Sequence, residues 1–180
     1  MIRFAYDLGI HKDSYHFLAS DGEHTAELDT ISNIINLKMK DVPGYKEVDG
    51  NFIVDTGSPH YVKFVIDVND LDVVKEGTEI RYSEPFAKAG INVNFVESDD
   101  HRIIVRTYER GVEDETYSCG TGVTASALVF AHNDNGFNRI EVQTKGGHLA
   151  VEFDKTGEES FRNIWLCGPA VFVFKGSVEL

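Results

Sequence analysis

The chain reads as an α+β protein in which a sheet wraps around one central helix. Three observations predict this. Short runs rich in β-branched and aromatic residues recur along most of the 180 residues. One segment, residues 120–131, carries Ala, Leu and Val and is nearly uncharged throughout; a helix without a polar face is buried on all sides. Many strands around one buried helix leave a curled sheet as the simplest way to cover it.

The strand runs are residues 14–18, 30–39, 52–56, 61–66, 93–97, 103–108, 139–144, 149–153 and 170–174. In the run holding Leu149, Val151 and Phe153, apolar residues alternate with the others, the mark of one buried face. Lys145-Gly146-Gly147 lies between two such runs and reads as a hairpin turn. Residues 154–160 form a polar loop. Two further helices are weaker. Residues 1–7 read as the end of a helix stopped by Gly9, and 71–81 as a short helix weakened by Gly77.

Apolar residues make up 42% of the chain and charged residues 26%, the mix of a globular protein. No apolar run approaches the ~20 residues that span a bilayer, and the start shows no basic-then-apolar signal peptide. A net charge of −13 repels phosphate backbones and anionic lipid, so neither nucleic acid nor membrane is an expected partner. Two cysteines, Cys119 and Cys167, are too few for a disulfide framework and lack zinc-site spacing. Free thiols in a reducing cytoplasm are the expectation. The seven His residues are scattered, so no metal site is expected.

The segment with chemical potential is Tyr108-Glu109-Arg110-Gly111, with Ser118-Cys119-Gly120-Thr121-Gly122 shortly after it. Cys119 stands at the mouth of the buried helix. A helix N-terminus presents unpaired backbone N–H groups and a partial positive charge. That field favours a thiolate. The same N–H groups can hold a carboxylate, and Gly120 and Gly122 allow a ligand to approach the backbone. Thr121 adds a hydroxyl. A thiolate beside a held carboxylate suits abstraction of the proton α to it, provided donors neutralise the growing charge. An Arg and a Glu at the same mouth would grip a carboxylate and an ammonium. A small Cys packed at a tight Gly-Thr-Gly turn is the competing reading, and the residues alone leave both open.

Three linked stretches add a resemblance. YERGVEDETYSCGTGVTASA (108–127), DTGSPHYVKFV (55–65) and EIRYSEPFAKAGINVNFVE (79–97) resemble, in order and approximate spacing, the second half of diaminopimelate epimerases. That family interconverts LL- and meso-diaminopimelate without a cofactor, using two cysteines on opposite faces of the substrate's α-carbon. The resemblance implies that Cys119 is the second of these. It implies that Gly120 and Thr121 form the carboxylate cradle and that Glu109 and Arg110 bind substrate, Glu109 also tuning the thiols. Asn92 would contact the substrate's distal end, and His60 would adjust cysteine ionisation. Ser58 stands where the family usually carries a substrate-binding Asn; its shorter side chain leaves that contact to a direct or water-mediated hydrogen bond. The loop 111–116 is one residue longer than the common version.

The implied fold is two similar lobes, each an antiparallel sheet curled round a helix, with the active site between them. Residues 41–168 correspond to the C-terminal lobe, and 1–40 with 169–180 to part of the N-terminal one, 169–180 being its returning strand. The family's Cys-Gly-Asn-Gly motif, with the first catalytic cysteine, has no counterpart here; the stretch 3–9 resembles the residues just after that motif. Cys167, in an apolar strand with no helix after it, is expected to be buried and inert. The function implied is therefore diaminopimelate epimerisation, an isomerase step of lysine and peptidoglycan precursor synthesis, with these 180 residues inactive alone. The alternatives are a non-catalytic remnant that binds an amino acid or a partner, or another cofactor-independent racemase akin to proline racemases. A partial lobe also predicts exposed apolar surface and self-association into a homo-oligomer.

Overall fold

The structure, a computed structural model, describes residues 1–19, 22–99, 102–131, 135–157, 159–174 and 176–179. Helix α1 (Ile2–Asp7) ends at Leu8, and Gly9 comes next at φ 86, the left-handed stop that glycine permits. Strands β1 (Tyr15–Ala19), β2 (Gly22–Asp29) and β3 (Ile34–Lys38) form an antiparallel meander. Strands β4 (Tyr45–Val48) and β5 (Asn51–Asp55) pair across Asp49-Gly50, whose φ values of 51 and 72 are those of a tight hairpin turn. Strand β6 (Pro59–Phe64) then runs antiparallel to β5.

A 3-10 turn (Val68–Asp70) leads into α2 (Val73–Arg81), where the Asp72 carboxylate accepts the Lys75 N–H at 3.1 Å and caps the helix. Strands β7 (Asn92–Ser98), β8 (Arg102–Glu109) and β9 (Asp114–Thr116) come next, and then α3 (Gly120–Phe130). Strands β10 (Gly136–Thr144), β11 (Gly147–Lys155) and β12 (Phe161–Pro169) close the fold, with Lys145-Gly146 as the expected turn between the first two.

The strands join in one 12-stranded sheet ordered β1-β2-β3-β12-β11-β10-β8-β7-β6-β5-β4, with β9 beside β8. It is not wholly antiparallel. The β6–β7 and β8–β10 pairs are parallel, because the chain crosses over through α2 in one case and α3 in the other and returns in the same direction. Helix α3 touches β5 to β8 and β10 to β12, so the sheet curls round it as expected. Strand β12 pairs with both β11 and β3, which carries the sheet without a break from the α3 half into the α1 half.

The interior packs in three clusters. Val62, Val96, Val105, Val142 and Phe153 enclose Val123 and Leu128 of α3. On the other sheet face, Val93, Phe95 and Tyr108 pack with Val73 of α2. Strand β7 is thus buried on both faces, Asn92, Asn94 and Val96 alternating with Val93 and Phe95. Gly77 is buried within α2. It lets the helix lie against β8, where a Cβ would stand 2.4 Å from the Tyr108 Cβ. A third, small cluster holds Ile2, Tyr15 and Ala26.

The structure corrects several readings. Residues 170–174 form no strand: Pro169 offers no N–H, and no described strand pairs beyond it. Val173 and Phe174 are instead 88% and 85% exposed. Of the expected strand 169–180 only Pro169, the end of β12, is in a strand; the described residues 176–179 are also without regular structure, and Lys175 and Leu180 lie outside the described residues. The segment 111–116 is a turn leading into β9, and β11 runs on into the loop expected at 154–160, of which Glu158 lies outside the described residues. Strands β2, β4, β9 and the first half of β12 have no counterpart among the expected runs.

Candidate active site

Cys119 is the N-cap of α3, in extended conformation at φ −118 and ψ 110. Its side chain makes no capping hydrogen bond, and the first turn of the helix holds no acidic residue. The N-terminal N–H groups of a buried helix are therefore left without the usual side-chain acceptor. The rest of α3 tolerates burial because its polar side chains bond inward: Thr124 donates to the Gly120 carbonyl at 2.9 Å and Ser126 to the Gly122 carbonyl at 2.8 Å.

Strand β6 brings His60 to this end. Its ring is fully buried, with Nε2 at 2.9 Å from the Thr121 hydroxyl, which lies 3.4 Å from Cys119 Sγ. Burial is the main reason that the His60 pKa falls from 6.5 to about 4; Asp55 pushes it up, and Arg110 pushes it further down. The imidazole is neutral at pH 7. Thr56, just before the turn into β6, donates to the Thr121 carbonyl at 2.9 Å and ties that turn to the helix mouth.

A second cluster sits at the start of β7. The Asn92 amide donates to Ser58 Oγ at 2.8 Å and to the Pro59 carbonyl at 3.0 Å, and its oxygen accepts the Arg110 N–H at 3.0 Å. The Arg110 guanidinium donates to the Ala89 carbonyl at 3.1 Å and reaches Ser58 Oγ at 3.5 Å. Gly90, at φ 76, leaves room for it: a Cβ there would come 2.6 Å from Arg110 Cδ. Glu109 ends β8, half-buried and opposite Asp114.

The loop that sets these residues is braced. The Glu113 carboxylate accepts the Gly111 N–H at 3.0 Å and the hydroxyls of Tyr82 and Tyr108, both at 3.1 Å, and the Gly111 bond leads in holding its pKa low. Arg106 donates to both Glu115 oxygens, at 2.7 and 2.9 Å, and Lys145 adds a third contact at 2.8 Å; the Arg106 bond is the main cause of the lowered Glu115 pKa.

A cavity of about 420 Å³ opens over the helix mouth, lined there by Thr56, Gly57, Gly120 and Thr121 and on the far side by Lys38 and Leu166. Apart from Glu109, at the end of β8, the predicted residues thus fall into two groups, Cys119, Gly120, Thr121 and His60 at the helix end and Ser58, Asn92 and Arg110 beside it. Gly122 departs from its expected role. It faces protein rather than a ligand, since a Cβ there would meet Asn94 Oδ1 at 2.3 Å and His60 Cε1 at 3.2 Å. Cys167 is buried on β12, and burial pushes its thiol up to about 11. Among the described residues, no group of His, Cys, Asp and Glu could hold a metal ion, and no helix is long and apolar enough to cross a membrane.

Sequence reasoning missed Asn94, Thr107 and Thr56. Asn94 is fully buried on β7: its amide nitrogen lies 2.9 Å from His60 Nδ1, and its oxygen accepts the Thr107 hydroxyl at 2.9 Å. An Asn flanked by Val93 and Phe95, in a strand buried on both faces at that point, was the available signal.

The family model for diaminopimelate epimerase matches residues 52–173. A diaminopimelate epimerase from Flavobacterium psychrophilum is 42% identical over 99% of this chain and 70% of its own length. One from Methanocella arvoryzae is 41% identical over 83% of this chain, which spans about half (49%) of that relative. Among solved structures, a phenazine biosynthesis protein of the PhzF family from Bacillus anthracis superposes with a TM-score of 0.73 at 15% identity, covering 99% of this chain and 73% of that one. A probable proline racemase from Agrobacterium radiobacter gives 0.64 at 16% identity, over 99% and 66%. At such identities these two speak for the shared fold alone.

Proposed function

The chain belongs to the diaminopimelate epimerase family, and from that premise we propose that it supplies the Cys119 half of a two-thiol epimerase site acting on diaminopimelate. The observation that carries the reading is the mouth of α3. There an N-cap thiol, a helix end with no side-chain cap and a neutral buried His60 stand within one hydrogen-bonded group.

The substrate's reacting carboxylate would sit on the N–H groups at Gly120 and Thr121, where the helix field neutralises it. That makes the α-proton removable, because negative charge built up during transfer meets fixed donors. Cys119 as thiolate takes the proton and becomes a thiol; in the opposite direction the thiol returns it. Glu109 would receive the ammonium group. Asn92 and Arg110 would hold the distal end, and the Ser58 hydroxyl, which accepts from both, keeps its own hydrogen to donate. The reaction calls only for thiols, and a reducing cytoplasm would keep them so.

Inversion requires a donor on the other face of the α-carbon, and Cys167, buried on β12, is no candidate. We therefore propose that residues 1–40 and 169–180 belong to a second lobe, and that these 180 residues by themselves bind diaminopimelate but do not turn it over. The apolar side chains left exposed at Phe4, Leu8 and Phe172 support self-association.

The test is substrate protection. Meso-diaminopimelate at millimolar concentration should slow alkylation of Cys119 severalfold and leave Cys167 untouched, with glycine giving no protection. Absence of protection overturns the reading; rapid conversion of the LL to the meso isomer by this chain overturns the single-thiol part of it. Light scattering at micromolar concentration should find oligomers, and a clean monomer would refute the association.

A further inference from the structure

Behind Cys119 runs an unbroken line of hydrogen-bonded polar groups, buried as far as the half-buried Thr121. It passes from the Thr107 hydroxyl to Asn94 Oδ1 at 2.9 Å, from Asn94 Nδ2 to His60 Nδ1 at 2.9 Å, from His60 Nε2 to Thr121 Oγ1 at 2.9 Å, and on to Cys119 Sγ at 3.4 Å. Asn94 and His60 are wholly buried and Thr107 is 3% exposed, so water does not set the direction of the bonds among these three. Asn94 and Thr107 stand opposite each other across β7 and β8, and Gly122 leaves the space that the Asn94 amide occupies.

Donor arithmetic fixes the direction. The Thr107 hydroxyl donates to Asn94 Oδ1, which turns the amide nitrogen toward His60. Nδ1 must then accept. A neutral imidazole that accepts at Nδ1 carries its hydrogen on Nε2, and Nε2 donates to Thr121. The Thr121 oxygen accepts that hydrogen with one lone pair, and its own hydrogen is free to point at Cys119 Sγ at 3.4 Å. A reversed amide would donate to Thr107 and strand that hydroxyl's hydrogen without an acceptor in this buried line.

We propose that Asn94 and Thr107 are positioning residues, which lock His60 in its Nε2–H form and so commit the Thr121 hydroxyl to donate to the Cys119 sulfur. The proposal rests on reading Cys119 as an acid–base thiol, but the tautomer itself does not depend on the substrate. The groups whose charge is felt at His60 are Asp55 and Arg110, which act in opposite directions; burial keeps the ring neutral.

The primary test is nitrogen-15 NMR of the histidine rings at pH 7, with the His60 signal identified by its loss in His60→Gln. A neutral Nε2–H ring is expected; an Nδ1–H ring or an imidazolium overturns the proposal, whether or not diaminopimelate binds. The second test is the rate of Cys119 alkylation by iodoacetamide, with Cys167 as the internal reference. Thr107→Val should slow Cys119 about tenfold at pH 7, the size of one lost hydrogen bond to an anion, and Thr107→Ser should restore it. Equal rates for the Val and Ser variants would overturn the role of the hydroxyl. Should Thr107→Val fail to fold, the NMR result on the unaltered chain still decides.

Discussion

Two helices in this molecule meet the same sheet and end in opposite conditions. Helix α3 is enclosed by strands on every side, and nearly all its side chains are buried. Helix α1 buries only Ile2, leaving Phe4 59% and Leu8 63% exposed. The difference is one of coverage. Strands β5 to β8 and β10 to β12 close round α3, whereas β1 to β3 offer α1 one open flank, and the apolar residues 171–174 after Pro169 are exposed. A helix with no polar face holds its place only where strands surround it, and the site sits on the helix that is held.

Core truncation should expose this contrast most strongly. Leu128→Ala in α3 removes a fully buried side chain and should cost about 3 kcal/mol or more, while Phe4→Ala in α1 should stay within about 0.5 kcal/mol. Urea denaturation of both variants measures the gap, and equal losses would erase the distinction between the two halves.

Next comes the pH dependence of His60, which the closed half alone imposes. Its pKa is about 4 when folded against 6.5 when free. Between those values the unfolded chain binds more protons, so stability contributed by neutral His60 is fully present above pH 6.5 and drains away as pH falls toward 4. The loss is at most about 3 kcal/mol. His60→Gln should flatten that part of a stability–pH curve; an unchanged slope would assign it to other groups.

A smaller effect is expected from Gly122→Ala, about 2 kcal/mol from overpacking against Asn94. Thermal unfolding would read it. Gly9→Ala, at the end of α1, meets no atom within 4 Å and should lose less, its φ of 86 being the only strain.

Parts of this were legible in advance for physical reasons. An uncharged run long enough for a helix has to be enclosed, which identified α3 and, with it, the unusual position of Cys119. The stop at Gly9 was local and readable. Strand β4 was also readable, in the Asp49-Gly50 dipeptide, but its Lys and Glu hid it. Strands β2 and β9 carry mostly polar residues and take their form from neighbouring ladders, which no local pattern encodes.

What the sequence determined by itself was the chemistry available: a thiol before Gly-Thr-Gly at a helix start, with Glu-Arg-Gly shortly upstream, in a family whose motifs it carries in order. Only the tertiary structure decided which groups stand behind that thiol. Residues 60, 94, 107 and 121 lie far apart along the chain, and it is the register of β6, β7 and β8 against α3 that joins them into one hydrogen-bonded line. Hydrogen bonds across a sheet depend on pairing, and pairing is a property of the folded chain. Cys167 makes the same point in reverse, a thiol buried like Cys119 but set within strand β12 rather than at a helix end.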